Sequence, residues 1–465
     1  MKNPIFIRIL CRLNIPPRPF LLCIFDLIAL LGTAITMLSF RHIWGGIDLT
    51  LSQCTLVLLL LGPFFAATLG LYHTVDLPPH LELKALFTLA TSVYAIILAV
   101  LFLTKTGDLF SRLTIIGGWG LTIITLPLMR WLCRRIFSRA KWWATPLVIL
   151  DKDGQGQNMF DYFSNNPGFN LHPTAIYPIA SDIETLRHSI AAIKRKHPNA
   201  LPLLSMSLGA RTQGSCAVEI SRHFRRVLFV PTFYSSLLRA WLTPCDLGKV
   251  GGLVLQQKLR DKWRIYFKRT LDLIGCTLGS VVLIPLGLLL VLIIRLDSPG
   301  PAFYRQKRLG QGGRTILIYK FRTMVPDSEC VLRRILAEDS SLREEWAKDH
   351  KLKNDPRITR VGKFLRKYSL DELPQLLNVL KGEMSLVGPR PIVESEVEKY
   401  KSAFEDYCLV RPGITGLWQI SGRNNTSYTE RVYLDSYYVN NWSVWLDWWI
   451  LIKTIPVILG AKGAY

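Results

Sequence analysis

The sequence predicts a membrane protein of mixed architecture. We expect an N-terminal four-helix transmembrane bundle at residues 1–140, a Rossmann-like α/β cytoplasmic domain at 141–255, and an α-rich domain with a re-entrant membrane helix hairpin and interfacial amphipathic helices at 256–465. Three observations predict this order. Four long apolar stretches come first, short apolar runs then alternate with helical patterns, and a fifth apolar stretch broken by a proline precedes a basic region.

Composition supports a membrane location. Hydrophobic residues make up 49% of the 465 residues, yet the net charge is +23, which favours apolar segments within a membrane and basic surfaces beside it. No zinc-finger or RNP motif accompanies the basic charge, so we expect no nucleic-acid partner. The nine cysteines form no Cys-x-x-Cys pair, which argues against a zinc site or a disulfide framework.

The first four apolar stretches each approach the ~20 residues that a helix needs to cross a bilayer. They are Leu21–Phe40, Thr55–Tyr72, Ala85–Thr104 and Leu113–Leu132. Basic residues concentrate before the first stretch and after the fourth, so the positive-inside rule predicts that both ends of the bundle face the cytoplasm. Asp26 lies early in the first stretch, where we expect it to snorkel or to cap the helix.

The next region has the alternating pattern of a small parallel α/β domain. Its apolar runs are Pro146–Leu150, Thr174–Ile179, Leu201–Met206 and Val227–Pro231, and its helical patterns are Asp182–Lys196 and Ala217–Arg225. Gly154 and Gly156 alone do not complete the G-x-G-x-x-G fingerprint. We therefore interpret this region as a Rossmann-like domain that binds no dinucleotide and serves as a scaffold or as the contact of a homodimer.

The fifth apolar stretch, Leu271–Leu296, has basic residues on both flanks, so both flanks should lie on the same side of the membrane. Pro285 interrupts its middle. We expect a re-entrant helix over 270–296 that enters from the cytoplasm, bends at Pro285 and returns to the same face. The alternative is a plain kinked span, which would place the rest of the chain on the far side.

Asp371 and Glu372 are adjacent carboxylates that follow a strongly basic run. Residues 353–367 carry six Lys or Arg against one Asp, and residues 301–325 carry six basic residues and no acid. Pro374 is tolerated only in a first helical turn, so the pair should lie at or just before a helix start, where an anion is favoured. The pattern suggests a polyanion site; alternatively, Ser369 and Glu372 form a capping box.

Two further segments are expected at the membrane interface. The tryptophan-rich segment Tyr437–Leu459 ends in an apolar stretch too short to cross a bilayer. The second is the apolar face formed by Ile358, Val361, Leu365 and Tyr368, which has a cationic opposite side.

The region 268–465 resembles the bacterial sugar transferases that act as polyprenyl-phosphate hexose-1-phosphate transferases, also called monotopic phosphoglycosyl transferases. The motifs that carry the resemblance are Lys320-Phe-Arg-Thr-Met, Asn354-Asp-Pro-Arg-Ile-Thr-Arg-Val-Gly, Ser369-Leu-Asp-Glu-Leu-Pro-Gln-Leu-Leu-Asn-Val, Gly388-Pro-Arg-Pro and Arg411-Pro-Gly-Ile-Thr-Gly. With four spans and an α/β insert in front, the chain is similar to the long members that start O-antigen, capsule or exopolysaccharide repeats.

The resemblance implies transfer of hexose-1-phosphate, with galactose favoured, from a UDP-hexose to undecaprenyl phosphate. Asp371 would be the nucleophile that carries the hexose-phosphate after UMP leaves, and Glu372 the ligand of Mg²⁺. The expected location is the bacterial inner membrane, with the catalytic domain at the cytoplasmic face. Expected phosphate contacts, each of which could instead bind lipid headgroups, are Arg305, Lys320, Arg322, Arg357 and Arg390.

Three alternatives stay open. The same reaction could be specific for UDP-glucose, or a glycosyltransferase could move the sugar alone and release UDP. The chain could also be a non-catalytic membrane scaffold or regulator of polysaccharide assembly, although the intact Asp-Glu pair argues against that.

Overall fold

A computed structural model describes most of the chain. The described residues are 17–45, 61–72, 78–103, 112–138, 140, 142–151, 154–166, 170–179, 183–198, 200–206, 220, 222–224, 226–231, 241–246, 251–256, 259, 261–338, 343, 355–422 and 426–460. The chain forms two compact units, Met1–Tyr234 and Ser235–Tyr465.

The first unit begins with long apolar helices. They are α1 (Pro17–Gly45), α2 (Pro79–Leu103) and α3 (Arg112–Phe137), and residues 61–68 are also helical. Segments of all three labelled helices are long and apolar enough to cross a membrane, as is a fourth helix in the second unit. Of the predicted span Thr55–Tyr72, residues 55–60 lie outside the described part of the chain. The chain is therefore a membrane protein.

Asp26 neither snorkels nor caps α1, so that expectation was wrong. It is buried, and both of its carboxylate oxygens accept hydrogen bonds from Arg130 of α3, at 2.9 and 2.6 Å. Arg130 also donates to Glu82 of α2, which accepts two further bonds from Arg134. Tyr72 donates to Asp26 at 2.9 Å. The partner of Asp26 is 104 residues away in sequence, so no local pattern points to it.

The α/β region of the first unit contains one sheet of four parallel strands in the order β2-β1-β3-β4. The strands are β1 (Thr145–Asp151), β2 (Leu171–Pro178), β3 (Leu201–Met206) and β4 (Leu228–Pro231), with α4 (Gly156–Asn165) and α5 (Ile183–Lys196) between them. The expected parallel α/β arrangement is confirmed, although most of the helical pattern at 217–225 lies outside the described residues.

The first turn of this sheet is crowded by a carboxylate. A Cβ atom added at Gly156 would lie 2.8 Å from Asp151 Oδ2, so the side chain of Asp151 occupies the start of α4. In dinucleotide-binding folds that helix start holds the pyrophosphate. The Rossmann-like assignment, and the absence of a bound dinucleotide, stay predictions.

The second unit combines one long helix with short strands and helices. Its elements are β5 (Trp241–Asp246), β6 (Gly251–Gln256), α6 (Lys262–Asp297), β7 (Phe303–Leu309), β8 (Thr315–Phe321), α7 (Ser328–Glu338), α8 (Arg360–Lys367), the 3₁₀ helix Leu370–Gln375, α9 (Leu376–Lys381), β9 (Ser385–Val387), α10 (Val397–Tyr400), α11 (Ala403–Leu409), β10 (Gly413–Thr415), α12 (Leu417–Ile420), α13 (Tyr428–Asn441) and α14 (Val444–Leu459). Strands β5 and β6 pair antiparallel, as do β7 and β8, whereas β9 and β10 pair parallel.

Helix α6 continues through Pro285 over 36 residues. Both of its halves contact other elements of the second unit. In the first half, Lys268 donates to Asp447 of α14 at 2.8 Å and Asp272 accepts from Ser385 at 2.8 Å. In the second half, Asp297 accepts from the Val361 backbone N–H of α8 at 3.2 Å. Between these contacts, the apolar side chains of Leu278, Val281, Val282 and Ile284 are 60 to 73% exposed.

The apolar face of α8 is partly buried: Leu365 is buried, whereas Ile358, Val361 and Tyr368 are half-buried, so its interfacial role stays a prediction. Leu365 is fully buried beside Leu290, Phe321 and Val361, while Phe364 is the exposed aromatic residue of this helix. An amphipathic pattern cannot distinguish a lipid partner from a protein partner. On α14, Leu446 and Ile450 are buried, and the exposed large apolar side chains are Trp448, Ile452, Ile455 and Leu459. Interfacial placement of α14 stays a prediction.

Candidate active site

Asp371 and Glu372 lie in the 3₁₀ helix Leu370–Gln375, directly before α9, as the position of Pro374 predicts. Ser369 has a left-handed backbone with φ of 54°, and its side chain caps no N–H group of the described helix. The capping-box alternative was therefore wrong. A left-handed non-glycine residue next to the carboxylate pair is the type of backbone strain that clusters at functional sites.

Two predicted cations lie against the carboxylates. Lys320 Nζ of β8 is 2.7 Å from Glu372 Oε1 and 4.0 Å from Asp371 Oδ2. Arg390 Nη2 is 3.9 Å from the same oxygen of Glu372. The fold thus brings together four of the predicted site residues from three separate motifs.

The electrostatics of Asp371 differ from those of an ordinary surface carboxylate. Burial, with the neighbouring charge of Glu372, raises the pKa of Asp371 to about 6, against the opposing effect of Lys320 and Arg366. Arg366 was not singled out from the basic run in the sequence; its Nε donates to Thr323 Oγ1 at 2.9 Å, which holds it at the site. The nearby cations do not fully compensate the charge of Asp371. Its carboxylate can therefore interact with a further positive charge or with a phosphorus electrophile.

The pair faces a cavity of about 940 Å³, which lies within the size range of ligand pockets. Its polar lining includes Asp371, Glu372, Lys320, Arg366 and Arg390. Apolar side chains of the two long helices line it as well, namely Leu283 of α6 and Leu451, Val457 and Ile458 of α14. The cavity therefore offers both charged and hydrocarbon-like surface.

Two glycine-rich motifs hold Arg390 in place. Gly388 N donates to Thr415 O at 2.9 Å and Gly413 N donates to Pro389 O at 2.8 Å, so the two loops pack backbone against backbone. A Cβ atom at Gly413 would collide with the backbone of Gly388. Glycine is needed here because of this close approach.

The other predicted phosphate contacts already have protein partners. Arg357 is buried and forms a two-pronged pair with Asp355, at 2.8 and 2.6 Å. Arg322 lines the cavity but donates to Ser298 and Pro299 at the end of α6. Arg305 is exposed, and its guanidinium lies 5.5 Å from the Tyr319 ring centre. Their phosphate contacts stay predictions.

The residues can accommodate a magnesium ion. Within the described parts of the chain, no group of three or more His, Cys, Asp or Glu side chains could hold a metal. Mg²⁺, however, is usually bound through one or two carboxylates, with substrate phosphates and water as the remaining ligands. Asp371 and Glu372, side by side at an open cavity, fit that donor set.

Comparison with known sequences gives a consistent result. The family described as "Bacterial sugar transferase" matches residues 263–461. An "Uncharacterized sugar transferase" of Haemophilus influenzae is 37% identical over 409 residues, 85% of each chain. An "Undecaprenyl-phosphate galactose phosphotransferase" of Salmonella typhimurium is 36% identical over 85% of this chain and 84% of its own length. A "UDP-glucose:undecaprenyl-phosphate glucose-1-phosphate transferase" of Caulobacter vibrioides is 41% identical over 43% of this chain and 72% of its own.

Proposed function

The chain belongs to the bacterial sugar transferase family, and from this premise we propose that it transfers hexose-1-phosphate from a UDP-hexose to undecaprenyl phosphate. It is a membrane-bound phosphotransferase, and the product would start a polysaccharide repeat such as O-antigen, capsule or exopolysaccharide. The single observation that carries the proposal is the carboxylate pair of Asp371 and Glu372, facing Lys320 in a cavity with both charged and apolar walls.

Asp371 is the proposed nucleophile. Its carboxylate oxygen attacks the β-phosphorus of the UDP-hexose, and the bond between that phosphorus and the bridging oxygen breaks, so UMP leaves. The hexose-phosphate is then held as an acyl phosphate. A phosphate oxygen of undecaprenyl phosphate attacks the same phosphorus, which frees the carboxylate and forms undecaprenyl-diphosphate-hexose. The covalent intermediate preserves the energy needed to form the new phosphoanhydride.

Cations around the pair make this attack feasible. A carboxylate approaching a diphosphate meets like charge, and Lys320, Arg366 and Arg390 line the cavity where they offset it. Glu372 would hold Mg²⁺ beside Asp371, and the ion would neutralise phosphate oxygens when bound. Lys320, at 2.7 Å from Glu372, orients that carboxylate.

The contacts of α6 support a re-entrant path for this helix. Lys268, near its start, and Asp297, at its end, both bond to elements of the same compact unit. A straight span would separate those ends by the ~30 Å hydrocarbon core. The exposed apolar residues between them, Leu278 to Ile284, would enter the membrane and return, which leaves the prenyl phosphate at the surface with its tail in lipid.

We place the catalytic unit at the cytoplasmic face of the bacterial inner membrane, where the basic residues flanking the spans favour it and where UDP-hexoses are available. Galactose is the favoured hexose because the Salmonella relative, matched over most of its length, is named for it. The Caulobacter relative, matched over only 43% of this chain, is named for glucose.

The test is the identity of the released nucleotide. The purified wild-type protein in lipid is mixed with Mg²⁺, undecaprenyl phosphate and either UDP-galactose or UDP-glucose. The variant Glu329→Gln, changed at an exposed side chain, is assayed in the same way as a control. We expect UMP from both proteins and a faster reaction with UDP-galactose. Release of UDP would favour the glycosyltransferase alternative, and no product from either sugar would favour the scaffold.

A further inference from the structure

Three arginines, Arg308, Arg390 and Arg431, lie close together beside Glu372. Arg308 of β7 and Arg431 of α13 share the carboxylate of Glu396, at 3.9 and 3.4 Å. Arg390 and Arg431 both lie over the ring of Trp418, with guanidinium carbons 5.7 and 4.8 Å from its centre. The group spans three distant segments of sequence, so only the fold reveals it.

A narrow cleft connects this cluster to the cavity. Arg308 lines the cleft together with Lys320, Glu372, Arg390 and Gln419, and the last four also line the large cavity. The cleft itself holds about 10 Å³, the space of one water molecule. A larger ligand would therefore bind at its mouth, where the side chain of Arg390 is 37% exposed.

The cluster has hydrogen-bond donors to spare. Nε of Arg308, Nε of Arg431 and Nε1 of Trp418 are buried without a hydrogen-bond partner among the described residues. Trp418 is only 5% exposed, yet it lines the large cavity. Buried polar groups are nearly always satisfied in native proteins, so these donors are available to acceptor atoms of a ligand that binds beside them.

The positive charges of the cluster also favour binding of an anion. Burial and the nearby guanidinium groups of Arg390 and Arg431 lower the pKa of Arg308. The carboxylates of Glu372 and Glu396 offset this crowding only in part, since their contacts with the arginines range from 3.4 to 3.9 Å. A bound phosphate would relieve the repulsion and satisfy several donors together.

The surroundings determine which phosphate fits. The residues of α6 and α14 that line the large cavity do not line the cleft in the described structure. A polyprenyl tail needs that apolar surface, so the lipid phosphate belongs on the side of Leu283 and Val457. Among the described residues, the cleft beside the cluster is lined by Glu372 but not by Asp371 or by that apolar surface, so the cluster suits the water-soluble part of the donor.

We propose that Arg308 and Arg390 bind the nucleotide phosphate of the UDP-hexose, the one that leaves with UMP, and that Arg431 positions them through Trp418 and Glu396. This assignment rests on the proposed function. It places the two substrates on opposite sides of Asp371, with the nucleotide over the charged cleft and the lipid over the apolar wall. Arg308 then helps to select the phosphorylated nucleotide and contributes nothing to lipid recognition.

The test compares UMP and uridine as inhibitors of the wild type and of Arg308→Gln. The lost charge-assisted contact should raise the inhibition constant of UMP and the KM for the UDP-hexose about 10- to 100-fold. The inhibition constant of uridine, which lacks the phosphate, and the KM for undecaprenyl phosphate should stay within about twofold. Lys307→Gln is the matched control, because the adjacent side chain on β7 points to the opposite face.

Two outcomes would overturn the assignment: an unchanged UMP constant in Arg308→Gln, or an equal rise for uridine and UMP, which would indicate general disruption of the site. Arg308→Lys keeps the charge and should fall between the wild type and the glutamine variant. Failure of the proposed function itself is distinguishable, since the wild type would then release no UMP before any variant is compared.

Discussion

Two of the buried charge clusters among the described residues differ in how completely they are paired. In the bundle, all four carboxylate oxygens of Asp26 and Glu82 accept hydrogen bonds from Arg130 or Arg134 at 2.6 to 3.1 Å. At the carboxylate pair of the second unit, one contact is 2.7 Å and two are 3.9 to 4.0 Å. Complete pairing indicates a structural role, and incomplete pairing at an open cavity indicates a site that substrate charges complete.

The bundle cluster shows why an ionisable residue in a membrane span is not always catalytic. Asp26, Glu82 and Arg130 come from three different helices and are all at most 7% exposed. An unpaired charge among apolar helices is costly, so the paired set joins α1, α2 and α3 in one arrangement.

The largest effect should come from Asp371→Asn. An amide cannot form the acyl phosphate, so the rate of UMP release should fall about 10⁴-fold or more. The unfolding temperature should be unchanged or slightly higher, because the substitution removes a buried carboxylate with a raised pKa. Initial rates and unfolding midpoints measured on the same preparation check both statements. Retention of a tenth of the activity would contradict the nucleophile assignment.

A substitution in the charge cluster of the bundle should lower the stability of the protein and leave the reaction itself unchanged. Arg130→Met leaves Asp26 and Glu82 without their shared partner, and breaking a buried ion pair costs about 3 to 5 kcal/mol. We expect a lower unfolding temperature in detergent, with KM values of the folded fraction unchanged. Lys84→Gln, at an exposed position of α2 close in sequence to Glu82, is the control. Equal stability of the two variants would show that the paired cluster does not hold the bundle together.

Glu372→Gln tests the proposed metal ligand. Replacing this carboxylate should reduce the rate about 10² -fold and raise the Mg²⁺ concentration needed for half-maximal activity. Titration of Mg²⁺ at saturating substrates measures both. An unchanged Mg²⁺ dependence, with only a lower rate, would instead assign Glu372 to the orientation of Lys320.

A substitution of Asp435 should have the smallest effect of the four. The hydrogen-bond pairing of Asp435 is intermediate in completeness between those of the two clusters. Its Oδ2 accepts from Tyr400 at 2.7 Å, whereas its Oδ1 is buried without a described partner, and burial raises the pKa of Asp435 to about 7. The folded state then holds a proton that the unfolded state releases near pH 4, so stability should fall as the pH rises from about 4 to about 7. Asp435→Asn should remove this slope, seen as a change of a few degrees in unfolding temperature. A slope that persists in the variant would assign it to other groups.

Local patterns predicted much of the molecule. The alternation of apolar runs predicted all four parallel strands, and Pro374 predicted the helix start beside Asp371 and Glu372. Pairings between distant segments were out of reach. Asp26 meets Arg130 across 104 residues, and Arg308 of β7 and Arg431 of α13 are brought together at Glu396. The protein partner of the α8 face could not be predicted for a related reason, since its apolar spacing is the same against lipid as against Phe321.

The most direct test of the account is a single-turnover experiment without the lipid acceptor. Purified protein, Mg²⁺ and labelled UDP-galactose should give about one UMP per chain and a labelled hexose-phosphate on the peptide that contains Asp371. Addition of undecaprenyl phosphate should discharge the label into lipid. No UMP and no labelled peptide until the lipid is added would contradict the covalent mechanism and favour direct transfer between the two substrates.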